Sequence, residues 1–260
     1  FMHDNDISDI SVGQALTQGE YFYDSGNYGV ASGIHVHVDA SAHTPQTLRN
    51  MVNIMAAKEE LLYKALQVQV SRENYCQKAD LRFLDEVNRM RPKTMAELER
   101  LWYNGESNRY IHYDTSRYHA LNLHSVFSKG TIEFRLFNST LHAGEVKAYI
   151  QLCLAISHQA LVQKSASRCR THSDNEKYTF RTWLLRLGMI GDEFKTARQH
   201  LLKHLEGNIA WKDPAQAQRQ KERLAAKQAA ALEALAPSAV PPEPQEEILE
   251  GQAGAPGMQL

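Results

Sequence analysis

The stretch GIHVHVDA, residues 33–40, alternates apolar and polar side chains, and such strict alternation reads as a half-buried strand. Successive side chains of a strand point to opposite faces. Ile34, Val36 and Val38 therefore share one face, and His35, His37 and Asp39 share the other. A half-exposed strand with polar residues facing water would give the same pattern, and a lone histidine reads most simply that way. Two imidazoles and a carboxylate in phase, after the Ser32-Gly33 approach, point instead to a metal or phosphate site. The pattern names no metal, since imidazole favours zinc and its neighbours while magnesium favours oxygen.

A second alternating stretch, TIEFRLF at 131–137, carries Ile132, Phe134 and Leu136 on one side and Thr131, Glu133, Arg135 and Phe137 on the other. An ion pair on a sheet surface is the plain reading of Glu133 and Arg135. A carboxylate that can hold a divalent cation, beside a guanidinium that can hold phosphate, is the functional one. The longer run RYHALNLHSVFSKGTIEFRLF, 117–137, is expected to form two strands joined by a turn at Ser128-Lys129-Gly130. On the first of them Arg117, His119, Leu121 and Leu123 would share a face, with Tyr118, Ala120, Asn122 and His124 opposite. Arg117 could then lie near the surface that carries Glu133 and Arg135. SRENYC, 71–76, with Arg72 and Tyr75, could close over a site, although an arginine at a helix end is more simply a solvated charge.

Between and after these strands the periodicity becomes helical. Thr44-Pro45 is a helix start, Thr as cap and Pro at the first position. The spacing of Leu48, Met51, Val52, Met55, Leu62, Ala65 and Leu66 predicts an amphipathic helix over 45–69. Thr94 with Glu97 three residues on predicts another over 94–103. Further helices are expected at 143–164, 179–188 and 192–205. Strands and helices without regular βαβ alternation make the fold class α+β. Residues 1–32 read as loops with a short strand at Glu20–Tyr23. The folded part is expected to span 1–211, followed by an exposed Ala/Gln/Lys-rich helix over 212–236 and a disordered tail rich in Pro, Gly, Glu and Gln over 237–260.

The 260 residues suffice for one domain and a tail, and a formal net charge of -1 gives no support for a nucleic-acid or membrane-surface binder. Three widely spaced cysteines without a CxxC pair argue against a disulfide framework or a thiolate zinc site. With no secretory signal and no long apolar run, a cytoplasmic protein is the default expectation.

Taken in order, SGIHVHVD, the long helix, SRENYC, RYHALNLHSVFSKGTIEFRLFNSTL and the following helix resemble the amidoligase family, related to glutamine synthetase and glutamate–cysteine ligase. The resemblance covers roughly 20–210. It implies an ATP-dependent carboxylate–amine ligase that phosphorylates a carboxylate and lets an amine attack the acyl phosphate. The implied fold is a curved antiparallel sheet with helices on its convex side, the active site on the concave face, and two or three magnesium or manganese ions at the nucleotide phosphates. By the same resemblance His35 and Glu133 match divalent-metal ligands, and His37 matches a residue directed toward the nucleotide phosphates. Arg135 and Arg117 match phosphate-stabilising arginines; Asp39 lies where relatives often carry a small polar residue and its role stays open, support behind a histidine being one reading. The implied partners are small-molecule or peptide carboxylates and amines. A homo-oligomer would be in keeping with the rings known among glutamine synthetase relatives.

The family pattern includes an early E-x-E strand that has no counterpart here, GEYFYD placing Glu20 and Asp24 at the wrong spacing. The expectation is that the chain begins after that strand, leaving the metal site incomplete. A non-catalytic nucleotide-binding relative is one alternative. The other is a zinc-dependent hydrolase, since HxH also opens the first strand of amidohydrolase barrels, with His112, His119, His124, His142 and His158 as further ligands. Such a barrel needs about 250 residues of alternating strands and helices, which this chain lacks.

Overall fold

The alternating stretch does form a strand, and the sheet it joins is small. The computed structural model describes residues 33–235 of the chain, in which three strands follow one another: β1 (Gly33–Asp39), β2 (Leu121–Asn122) and β3 (Thr131–Asn138). Their order in space is β1-β3-β2, and both pairings are antiparallel. The Glu20–Tyr23 strand and the tail over 237–260 lie outside the described residues.

The pairing register explains how a polar cluster and an apolar core can share β3. Asp39, Val38, His37 and Val36 face Thr131, Ile132, Glu133 and Phe134, but Ile34 then faces Phe137. Arg135 and Leu136 thus stand opposite His35 alone, which is a β-bulge in β3. The extra residue changes the expected alternation. Phe137 lies with Ile34 on the apolar side, fully buried and stacked on Tyr149 with ring centres 4.4 Å apart, rather than beside Glu133 and Arg135.

Helices cover that apolar side. α1 (Pro45–Leu66) starts as expected: Thr44 Oγ1 accepts from Thr47 N–H, Thr47 Oγ1 accepts from Thr44 N–H, and Pro45 fills the first turn. It stops at Leu66, where Gln67 turns left-handed at φ 47. α2 (Leu81–Met90) adds to the expected helices, and Asp80 caps it by accepting from Arg82 and Phe83 N–H. In α3 (Met95–Trp102) Thr94 caps Glu97 N–H, while the Glu97 carboxylate reaches one residue further back, to Lys93 N–H. α5 (Ala143–Val162), α6 (Glu176–Arg186) and α7 (Lys195–Leu202) follow β3 near their expected places, after the short α4 (His124–Lys129). α1 packs on β3 and α5 on β1, and α5 also lies along α1 and α7.

The run over 117–129 departs most from expectation. Thr115–Arg117 is a 3-10 turn, β2 is two residues long, and HSVFSK forms α4 instead of extending the strand. Gly130, at φ 74, ends that helix rather than closing a hairpin turn. β2 still pairs with β3, so the strand partnership was right and the connection wrong.

The chain divides into two compact units, Phe1–Ala217 and Gln218–Leu260. Helix α8 (Pro214–Leu235) begins in the first and supplies the described part of the second, where 218–231 are exposed. The described fold is α+β, a small antiparallel sheet with helices. Antiparallel pairing excludes the parallel barrel that the hydrolase alternative requires. Among the described residues no helix is long and apolar enough to cross a membrane. Cys76 and Cys153 are buried and Cys169 is exposed, all as free thiols.

Candidate active site

His37 stands opposite Glu133 across the β1–β3 pair, and Asn122 faces Glu133 from β2, so three strands present side chains to one carboxylate. Glu133 Oε1 accepts from Arg135 Nη1 at 2.7 Å and lies 2.9 Å from His35 Nδ1 and 3.7 Å from His37 Nε2. Its Oε2 accepts from Asn122 Nδ2. Burial alone would raise the pKa of this carboxyl. The hydrogen bond from His35 and the neighbouring Arg135 guanidinium outweigh it and hold the group well below the usual carboxylate range. His37 moves the other way. Burial lowers its pKa more than Glu133 raises it, and Lys129, His35 and Arg135 lower it further, so the ring is neutral at neutral pH. Its Nδ1 is 2.9 Å from Thr131 Oγ1, which is itself 2.9 Å from Ser125 Oγ.

Arg135 is almost wholly buried. Besides Glu133 it donates from Nε to Tyr75 O at 3.3 Å, leaving Nη2 without an acceptor among the described residues. Its Cζ stands 5.8 Å from the centre of the Tyr118 ring, and Arg117 Cζ stands 5.8 Å from the same ring. Two guanidinium groups therefore gather at one phenol, a favourable cation–π arrangement. Arg117 arrives from the 3-10 turn and not from a strand face, its Nη1 donating to His112 O at 2.7 Å.

Arg72 has a different role from the solvated charge expected of it. It is buried, and it donates from Nη2 to Arg135 O at 2.7 Å and from Nη1 to Phe137 O, with Asn138 Oδ1 at 3.4 Å. These carbonyls belong to the bulge, where strand pairing is interrupted, so the guanidinium fills the gap left in the ladder. Gly33 makes room for it: a Cβ there would stand 1.9 Å from Arg72 Nη2. Asp39 makes no hydrogen bond to a histidine among the described residues, and acts on His43 only by its charge. It is exposed and accepts from Ser41 N–H at 3.1 Å and from the Ser41 hydroxyl.

Of the candidate residues, His35, His37, Glu133 and Arg135 form one hydrogen-bonded and charge-coupled group, and Arg117 joins it through Tyr118. Asn122, Thr131 and Tyr118 belong to the same group and were not singled out in the sequence. Asn122 was the readable one, since any pairing of β2 with β3 sets it beside a β3 residue. A divalent cation requires an ionised carboxylate and neutral imidazole, the states that Glu133 and His37 hold. Glu133, His35 and His37 thus fit part of a coordination sphere. They do not complete one: among the described residues no group of three or more His, Cys, Asp or Glu is arranged to hold a metal, and both Glu133 oxygens carry hydrogen bonds.

A family model described as "putative amidoligase enzyme" matches residues 21–157, more than half of the chain. The chain belongs to the amidoligase family. The amidoligase match runs from before β1 into α5 and contains every side chain of the cluster, Arg72 and Arg117 included. Comparison with curated proteins and with solved structures gave no match.

Proposed function

We propose that this amidoligase is an ATP-dependent carboxylate–amine ligase that forms an amide bond through an acyl phosphate. The observation that carries the reading is the buried Glu133–Arg135 pair flanked by His35 and His37 on one face of two paired strands, within the stretch that matches the family. Phosphoryl transfer is mostly positioning and charge neutralisation, so fixed cationic donors on strands suit it better than flexible ones. In the overall reaction a carboxylate oxygen attacks the γ-phosphorus of ATP and ADP leaves. An amine then attacks the acyl carbon, phosphate departs, and the amine proton passes to solvent.

In this scheme Arg135 Nη2 and Arg117 hold the phosphoryl oxygens, with Tyr118 keeping the two guanidinium groups in one place. Glu133 fixes Arg135 in rotation, and Asn122 fixes Glu133. Glu133 and His35 would hold magnesium or manganese, which supplies charge neutralisation at the phosphates, with His37 directed toward the nucleotide. We assign the sheet to the glutamine synthetase-like class on the same reading, with the cluster on its open face and the helices behind.

The test traps the acyl phosphate without knowledge of the acceptor amine. Hydroxylamine added to the chain with ATP, magnesium and a panel of glutamate-like carboxylates and glutamyl peptides should yield a hydroxamate in step with ADP. Arg135→Lys should lower the rate by about 100-fold, because a point charge cannot reproduce the planar fork. ADP release without hydroxamate from any carboxylate would sink the ligase assignment and leave an ATPase.

A further inference from the structure

A second buried carboxylate lies on the helix-covered side of the sheet. Glu59, on α1, is 6 % exposed and lines an apolar cavity of about 50 Å³ between α1, α2, α3 and the Ser116–Leu121 segment. Its Oε1 accepts from Ala79 N–H. Among the described residues its Oε2 has no hydrogen-bond partner, and the residue is part of the cavity wall. The walls are aromatic and aliphatic. Phe83 and Trp102 meet edge to face with ring centres 4.9 Å apart beside Met55, Leu62 and Tyr63, and Asp80, Ser116 and His119 are the polar members of the lining besides Glu59. Trp102 Nε1 donates to Ser116 Oγ at 2.8 Å, and His119 Nδ1 lies 2.9 Å from Ser116 O.

A carboxylate at the end of an apolar, aromatic-walled hole is complementary to a small organic cation. The charge is met by the carboxylate and the ring faces, and the alkyl part by the walls. We propose that the cavity is a binding site for a primary alkylammonium ion, its ammonium on Glu59 Oε2 and its chain against Phe83, Trp102 and Leu62. Size limits the guest. One water-sized position needs about 10–15 Å³, so the cavity admits about four non-hydrogen atoms, the size of propylammonium. Burial raises the Glu59 pKa against the opposing pull of the Ala79 amide and Lys78, in keeping with a carboxylate that lacks a close cation. The site shares no side chain with the His35–Glu133 cluster and stands whether or not that cluster is a ligase centre.

Calorimetric titration of propylammonium chloride into the full chain tests it, with 1-propanol and sodium chloride as separate titrants. The expected result is saturable binding of propylammonium only. The affinity should fall at least about tenfold in Glu59→Gln, which can still accept from Ala79 N–H, and binding should vanish in Ala120→Val, which fills the cavity. His35→Ala should bind as the unchanged chain does. No saturable binding, equal binding of 1-propanol, or an unaltered affinity in Glu59→Gln would each overturn the proposal. The comparison with 1-propanol needs no variant, and Ala120→Val serves should Glu59→Gln not fold.

Discussion

Glu133 and Glu59 are buried almost equally, at 4 % and 6 % exposed, yet their carboxyl groups move in opposite directions from the ordinary value. Both pay a desolvation cost. Glu133 offsets it with Arg135, His35 and Asn122, all within hydrogen-bonding distance. Glu59 has one backbone amide, with Lys78 and Arg170 acting only at longer range. Burial therefore does not decide what a carboxylate is for; its partners do. On the face that carries His35 and His37 the partners fix an anion and hold Arg135 in rotation. On the covered side a nearly unpartnered acid faces a hole, ready for a proton or a cation.

The largest effect should come from removing the partner that separates the two acids most. Arg135→Met leaves Glu133 buried without its closest cation and should cost about 3–5 kcal/mol in urea unfolding. A loss of under about 1 kcal/mol would show that the histidines and Asn122 suffice, and that the two sites differ less than their pKa directions say.

Next in size is the support beneath Arg135. Gly33→Ala should displace Arg72 from the bulge carbonyls and cost about 2–3 kcal/mol, the worth of a charged hydrogen bond or two. Arg72→Met should cost about the same, and the double variant should cost little more than either alone. Additive losses in that cycle would mean that Gly33 and Arg72 act separately, contrary to the 1.9 Å clash.

The smallest effect is the most discriminating, because its sign differs between the two acids. Glu133 has a depressed folded pKa, so its contribution to stability is complete above the unfolded value of about 4.3 and is lost as pH falls toward the folded one. Glu59 has a raised folded pKa, so its contribution is present below about 4.3 and is lost as pH rises through the folded value. Unfolding free energies measured from pH 3 to pH 7 should show Glu59→Gln gaining on the unchanged chain as pH rises, by about 1 kcal/mol at neutrality. Glu133→Gln should lose ground over the same interval. Parallel curves would remove the distinction.

Much of this was legible in the sequence where the signal is local. The alternation of Ile34, Val36 and the two histidines fixed β1 and its faces, and Thr44-Pro45 and Thr94 marked two helix starts. Asp80 with Phe83, Leu84 and Val87 carries the same kind of signal for α2. What stayed hidden depends on contacts distant in sequence. Nothing within TIEFRLF says that β3 bulges, because the bulge exists only relative to β1, and it alone carries Phe137 to the apolar side. Arg72 looks like a solvated charge because the carbonyls it serves, at Arg135 and Phe137, lie 63 and 65 residues away. HSVFSK reads as strand beside Leu121 and Leu123, but is a helix that Gly130 ends with a positive φ. Four members of the cluster sit at period-two positions and are legible in the sequence; Asn122 and Tyr118 depend on how the strands and loops meet.

The measurement that tests the central claim most directly is calorimetric titration of ATP into the chain, first with magnesium and then with EDTA, repeated on His35→Ala and Glu133→Ala. The account predicts saturable binding that disappears with EDTA and weakens in both variants while their far-UV spectra stay unchanged. Saturable, magnesium-dependent binding with the same affinity in both variants would contradict it, placing the nucleotide away from the His35–Glu133 face.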